Sequence, residues 1–198
     1  MTAQLIGLGG LLRSGKDAFA DRLVEKHGWV KMGMSDPLND ALLTLDPYVQ
    51  LGVDRSGESD RPEMVRYQSV HARMGYVEAK KLPEVRRLLM VLGTEVGRDM
   101  IGENTWVDIA ARNIQNHLDA GTSVAITGIR FDNELQMIRD LGGESVWVER
   151  AGLEAPVSTH ASENSVTGED FDVTVLNHYD LDHLHDIADS LALGDWLH

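Results

Sequence analysis

The segment that most restricts how this chain can fold is Gly10-Leu-Leu-Arg-Ser-Gly15-Lys16. It follows a short apolar run, Gln4–Leu8, that reads as a buried strand. It precedes Asp17–His27, where Phe19, Leu23 and Val24 recur at helical spacing before Gly28. Gly-x-x-x-x-Gly-Lys set directly between a strand and a helix is the arrangement of a phosphate-binding loop. Glycines let the backbone wrap an anion with its N–H groups inward, and the helix adds its positive end. Gly10, Arg13, Ser14, Gly15, Lys16, Asp17 and Ala18 are therefore expected to hold nucleotide phosphates, with the Lys16 ammonium on the β- and γ-phosphates. A glycine-rich turn with no ligand is the competing reading. Gly7 and Gly9 also suggest a dinucleotide fingerprint, but Leu12 stands at its third glycine and Lys16 has no task in it. Asp17 occupies the place where Ser or Thr normally offers a hydroxyl to Mg²⁺. It either reaches the ion through water or only favours the helix start.

Beyond the loop, short apolar strands alternate with helices. Trp29–Met32, Val124–Thr127, Ser145–Val148 and Val173–Leu176 read as strands. Ser35-Asp36-Pro37 opens a helix running to Leu45, with a capping side chain ahead of proline. Glu84–Met100, Trp106–Leu118, Asn133–Leu141 and Leu181–Leu193 read as further helices. Asp46 to Arg61 is polar and glycine-containing and is expected to be a flexible insertion. Ala151–Asp170, rich in Ser, Thr, Gly and Glu, is expected to be a loop or lid. The expected fold class is α/β, a three-layer P-loop fold whose parallel sheet of about five strands is covered by helices on both faces. The expected organisation is a single domain over residues 1–198, with an acceptor-binding insertion at 46–80 and a lid at 151–171.

At 198 residues without cysteine, the chain needs no staple and has no thiolate chemistry. Its net charge of −14 argues against coating nucleic acid, whose affinity comes from phosphate neutralisation. No signal peptide pattern and no apolar stretch of about 18 residues is visible, so a cytoplasmic location without membrane partners is expected. The expected partners are small-molecule nucleotides, with the chain a monomer or homodimer. An acidic protein that binds phosphates needs its few cations brought together locally.

The form Arg13-Ser-Gly-Lys-Asp17 resembles the loop of bacteriophage deoxynucleoside monophosphate kinases, members of the P-loop nucleoside monophosphate kinase superfamily. Later segments extend the resemblance in order: Ser35-Asp-Pro-Leu38, Leu92-Gly-Thr-Glu-Val-Gly-Arg-Asp99 with Trp106-Val107, Thr127-Gly-Ile-Arg-Phe-Asp-Asn-Glu134, His160-Ala-Ser-Glu163 and Asp172-Val-Thr-Val-Leu-Asn177. The resemblance implies transfer of the γ-phosphoryl group of ATP, with Mg²⁺, to a deoxynucleoside monophosphate. It also implies that Asn177 lines the adenine pocket and that His160, Ser162 and Glu163 belong to a lid. Two positions depart from the family pattern. Gly128 stands where a Walker-B aspartate is frequent, and Asn39 where lysine is common. Other small acceptors, as in phosphomevalonate or dephospho-coenzyme A kinases, and a non-catalytic ATP-binding module remain open.

Transfer between two phosphates asks for alignment and charge neutralisation rather than covalent help. Guanidinium groups suit it because they stay charged and grip phosphate bidentately. Arg98, Arg130 and Arg150 are the candidates, each with an ordinary surface role as the alternative. Asp36 binds the acceptor or caps its helix. Glu95 and Asp99 orient the acceptor or pair with Arg98. Trp106 stacks on a base or belongs to the core.

Overall fold

The computed structural model describes residues 3–54, 61–153 and 166–195. In chain order these form β1 (Leu5–Gly9), α1 (Lys16–His27), β2 (Val30–Gly33), α2 (Asp36–Leu45), β3 (Tyr48–Asp54), β4 (Arg61–Arg66), α3 (Tyr67–Ala79) and α4 (Pro83–Met90). A π-helix (Val91–Ile101) follows, then α5 (Thr105–Asp119), β5 (Val124–Thr127), α6 (Asp132–Asp140), β6 (Glu144–Glu149), a 3₁₀ turn (Gly168–Asp170), β7 (Val173–Leu176) and α7 (Leu181–Leu193). The chain divides into two compact units: Met1–Met34 with Val107–His198, and Ser35–Trp106.

The first unit is built on a five-stranded sheet in the order β2-β5-β1-β6-β7. Every pairing in it is parallel. The near-continuous apolar strands explain this, because a parallel sheet is buried on both faces. Ile6 and Leu8 of β1 pack with Phe19 and Leu23 of α1 and Leu184, Ala188 and Leu191 of α7. Leu5 and Ile126 pack on the other side with Ala110 and Ile114 of α5 and Leu135 and Ile138 of α6. The three-layer α/β architecture expected from the alternation is the one observed. Each of the fully buried leucines and phenylalanines contributes about 1.5–3 kcal/mol. Gly7 and Gly9 have packing reasons: a Cβ on Gly7 would lie 2.8 Å from Ile138, and one on Gly9 would overlap the Phe171 ring. Neither glycine is reserved for a dinucleotide.

The second unit has its own core of Leu42, Val49, Tyr67, Val70, Ala79 and Val85. Two expectations are corrected here. The polar stretch from Asp46, expected to be a flexible insertion, is not without regular structure; it contains β3, which pairs antiparallel with β4 in register through Val49 and Val65. A lone hairpin is marginal in water. This one gains support because Val49, Leu51 and Val65 pack into the second unit's core. Glu84–Met100 is not one regular helix either, since α4 widens into the π-helix at Val91. Helix α3 was not anticipated; it buries little beyond Tyr67, Val70 and Ala79, and Gly75 breaks its path with φ +73°.

Among the described residues, no helix is long and apolar enough to cross a membrane. His160, Ser162 and Glu163 lie outside the described residues, as does much of the expected lid.

Candidate active site

The glycine loop connects β1 to α1, at the end of the sheet where all five strands finish. Ligands of open α/β sheets bind at that carboxyl edge. Gly10 (φ +139°), Arg13 (φ +67°) and Gly15 (φ +107°) give the loop its curl. A Cβ at Gly10 would stand 2.5 Å from the Val148 carbonyl oxygen, so only glycine lets the loop lie this close to β6. Arg13 holds a left-handed conformation that costs an ordinary side chain about 1–2 kcal/mol, the kind of strain that gathers at ligand-binding turns. The Ser14 N–H donates to Leu11 O at 3.1 Å, and Lys16 Nζ donates to the same carbonyl at 3.2 Å. The Lys16 ammonium is thus folded back over the loop.

Ser14 Oγ is buried and has no hydrogen-bond partner among the described residues. A buried hydroxyl without a partner is unusual and marks a place where a ligand atom can complete the bonding. The loop residues therefore fit a nucleotide phosphate. Asn177, at the end of β7, braces the loop from outside. Its Nδ2 donates to Ser14 O at 2.8 Å, and its own N–H donates to Glu149 O at 2.6 Å. A Cβ on Gly15 would sit 2.5 Å from that amide nitrogen. The side-chain amide expected at an adenine pocket is thus engaged with the phosphate loop.

The fit to a metal ion is weaker on the protein side. Asp17 begins α1 with an exposed carboxylate, 3.3 Å from Lys31 Nζ, and Lys31 also meets Asp21 at 2.9 Å. Burial works against the Lys31 charge, but the hydrogen bond to Asp21 and the charge of Asp17 outweigh it and raise its pKa. Gly128 (φ +85°) leaves no carboxylate at the end of β5, and among the described residues no three acidic or histidine side chains gather into a metal site.

Arg130 follows β5 and Arg150 follows β6, so parallel topology brings both to the loop's edge of the sheet; both are exposed. Sequence reasoning left Glu134 without a role. It is buried in the first turn of α6, and its Oε2 accepts the N–H of Arg130 at 2.6 Å and of Phe131 at 3.2 Å. Acidic side chains at a helix's third position are the signal that points to such a cap.

In the second unit, Asp36 opens α2 behind Ser35, which occupies the cap position but makes no side-chain capping bond. Asn39 is buried; its Oδ1 accepts the Tyr67 hydroxyl at 2.7 Å and its Nδ2 is 3.4 Å from His71 Nε2. The Tyr67 phenol is pushed up to about 12, first by burial and then by Tyr76. A lysine at position 39 would be a buried charge against that phenol, so this core accounts for the departure noted above. Glu95, Arg98 and Asp99 all lie on the π-helix, with Arg98 Nη2 3.2 Å from Glu103 Oε1. Trp106 Nε1 donates to Gly93 O at 2.9 Å, and its indole covers Gly97 where any Cβ would overlap it. Gly97 is therefore the seat of the Trp106 ring, while the missing side chain of Gly93 faces Leu38.

The family model for deoxynucleotide monophosphate kinase matches residues 50–187. The chain belongs to that family. The match takes in Arg98, Trp106, Arg130, Arg150 and Asn177; the phosphate loop lies before it and rests on its own geometry. This family member is 23% identical to the deoxynucleotide monophosphate kinase of Enterobacteria phage T4, over 91% of the chain and 95% of the relative. It is 21% identical to that of Escherichia phage RB69, over 92% and 96%. Among solved structures it resembles the dephospho-CoA kinase from Campylobacter jejuni with a TM-score of 0.50 and 9% identity, covering 98% of each chain. At that identity the likeness describes the fold.

Proposed function

We propose that this chain transfers the γ-phosphoryl group of ATP to a deoxynucleoside monophosphate, giving ADP and the deoxynucleoside diphosphate. The observation that carries the reading is the phosphate loop, whose buried Ser14 hydroxyl has no hydrogen-bond partner among the described residues, in a chain of the deoxynucleotide monophosphate kinase family. An oxygen of the acceptor phosphate attacks the γ-phosphorus, and the bond from γ-phosphorus to the β–γ bridging oxygen breaks. The acceptor oxygen is already anionic, so no strong base is required. Backbone N–H groups of Gly10–Ala18 and Lys16 hold the ATP phosphates, with Arg13 beside them. Arg98, Arg130 and Arg150 neutralise charge on the transferring and acceptor phosphates. Asp36, Glu95, Asp99 and Trp106 belong to the acceptor side, and Asn177 keeps the loop in shape. Mg²⁺, when bound, would screen the phosphate charge, and Asp17 is the loop carboxylate that would meet it through water. Residues 46–80 serve as the acceptor-binding insertion and 151–171 as the lid of one kinase domain. The proposed setting is the cytoplasm, on free nucleotides, by a monomer or homodimer.

The test is incubation with Mg·ATP and each common dNMP separately, following ADP and the acceptor diphosphate. Diphosphate from at least one dNMP, lost in Lys16→Ala, is the expected result. ATP binding without turnover of any nucleotide would defeat the proposal and direct the search to other acceptors.

A further inference from the structure

The connection from β5 to α6 is four residues long, Gly128 to Phe131, and it is held from both ends. On the strand side, Gly128 N–H donates to Leu8 O at 3.2 Å and the Ile129 side chain is buried in the core. On the helix side, Phe131 O accepts the N–H groups of Glu134 at 3.0 Å and Leu135 at 3.2 Å. Glu134 closes the arrangement. Its carboxylate, on a residue only 7% exposed, binds the N–H of Arg130 itself as well as that of Phe131.

A carboxylate beside a phosphate-binding edge repels the ligand unless donors take up its charge. Here two backbone N–H groups and the positive end of α6 do so. The Arg130 backbone is thereby fixed between a core anchor and a buried acceptor while its side chain projects into solvent. A guanidinium on a long, rotamer-rich stem aligns phosphate well only when its base is fixed, since placement errors near 1 Å cost rate heavily.

We infer that Glu134 is a positioning residue for phosphoryl transfer, acting through Arg130. The inference rests on the phosphate-clamping role proposed above for Arg130. A helix cap that serves stability alone would lower the melting temperature and leave Arg130 no more coupled to it than any other residue. Coupling in turnover is what separates the two.

The experiment is a double-mutant cycle with R130A, E134A and the double variant, plus E134Q, reading kcat and KM for ATP and dNMP alongside thermal melts. R130A is expected to lower kcat/KM by about 100-fold or more. E134A should lower it by about 10- to 100-fold, chiefly in kcat. E134Q, whose amide oxygen can accept the same two N–H groups, should stay within about fivefold of the parent. The double variant should be no slower than R130A. A double variant that multiplies the two losses, or E134A at parental activity, overturns the inference. R130A at parental activity removes the clamping role, and this inference with it, while leaving the transfer reaction standing. Should E134A not fold, E134D, one methylene too short to reach both N–H groups, takes its place in the cycle.

Discussion

Asn177 acts at the scale of one hydrogen bond. Its Nδ2 is the donor that meets Ser14 O at 2.8 Å, beneath the loop proposed to hold ATP. Asn177→Asp changes almost nothing in shape but sets a carboxylate oxygen against a carbonyl oxygen and a phosphate loop. The expected outcome is a rise of about tenfold or more in KM for ATP with the fold retained, read by ATP titration and circular dichroism. An unchanged KM would mean the loop keeps its shape without the brace. The asparagine itself was visible at the end of the last strand, and the family resemblance pointed to the nucleotide. Its partner was not visible, because Ser14 lies 163 residues away in sequence and only the sheet order, with β6 between β1 and β7, brings the two to one edge. Asn39 shares this property, since its partner Tyr67 lies 28 residues away in sequence.

At the scale of elements, Trp106 and the π-helix form one device. The wider helix, of a kind that is rare and often found at functional sites, carries Glu95, Arg98 and Asp99. The indole of Trp106 seals it at Gly93 and Gly97. Gly97→Ala should drive the ring out of its seat and destabilise the protein by about 1–3 kcal/mol, seen as a lower midpoint in urea. Trp106→Phe keeps an aromatic ring in the seat, though a smaller one without the N–H donor, and should cost less. Equal stability of Gly97→Ala and parent would show that the seat is loose. A second device joins α1 to α7. Asp189 accepts two bonds from Arg22 at 2.9 and 2.8 Å, one from Lys26 at 2.6 Å, and lies 2.8 Å from His27 Nε2. The Arg22 hydrogen bonds, followed by those of Lys26 and His27, outweigh burial and hold the Asp189 carboxyl well below the usual carboxylate range. A depressed folded-state pKa adds stability that is complete above the unfolded value near 4, and is lost as pH falls toward the folded value. Melting temperature should therefore decline below about pH 4. Asp189→Asn should start about 5 °C lower at neutral pH and decline less steeply in acid. Parallel acid profiles for the two proteins would remove the cluster from that account.

Over the whole molecule, a net charge of −14 makes self-repulsion a general cost of compactness. Raising salt from roughly 20 mM to roughly 300 mM shortens the Debye length and should raise the melting temperature by about 2–5 °C. A fall instead would show that ion pairs such as the Asp189 cluster outweigh the repulsion.

The sequence by itself determined the fold class, because strand–helix alternation and a phosphate loop between the first strand and helix admit few arrangements. It also carried the family, through motifs spaced along the chain, and set Arg130 and Arg150 just after strands. The tertiary structure decided what local pattern does not contain. The polar stretch after Asp46 became a hairpin because Val49 and Val65 found a shared core. The helix at Val91 widened where a tryptophan from the next helix covers Gly97 and donates to Gly93 O. Asn39 and Asn177 took their roles from partners that only packing supplies. Periodicity records which face a residue is on, whereas a hydrogen bond depends on which distant atom the fold sets opposite it.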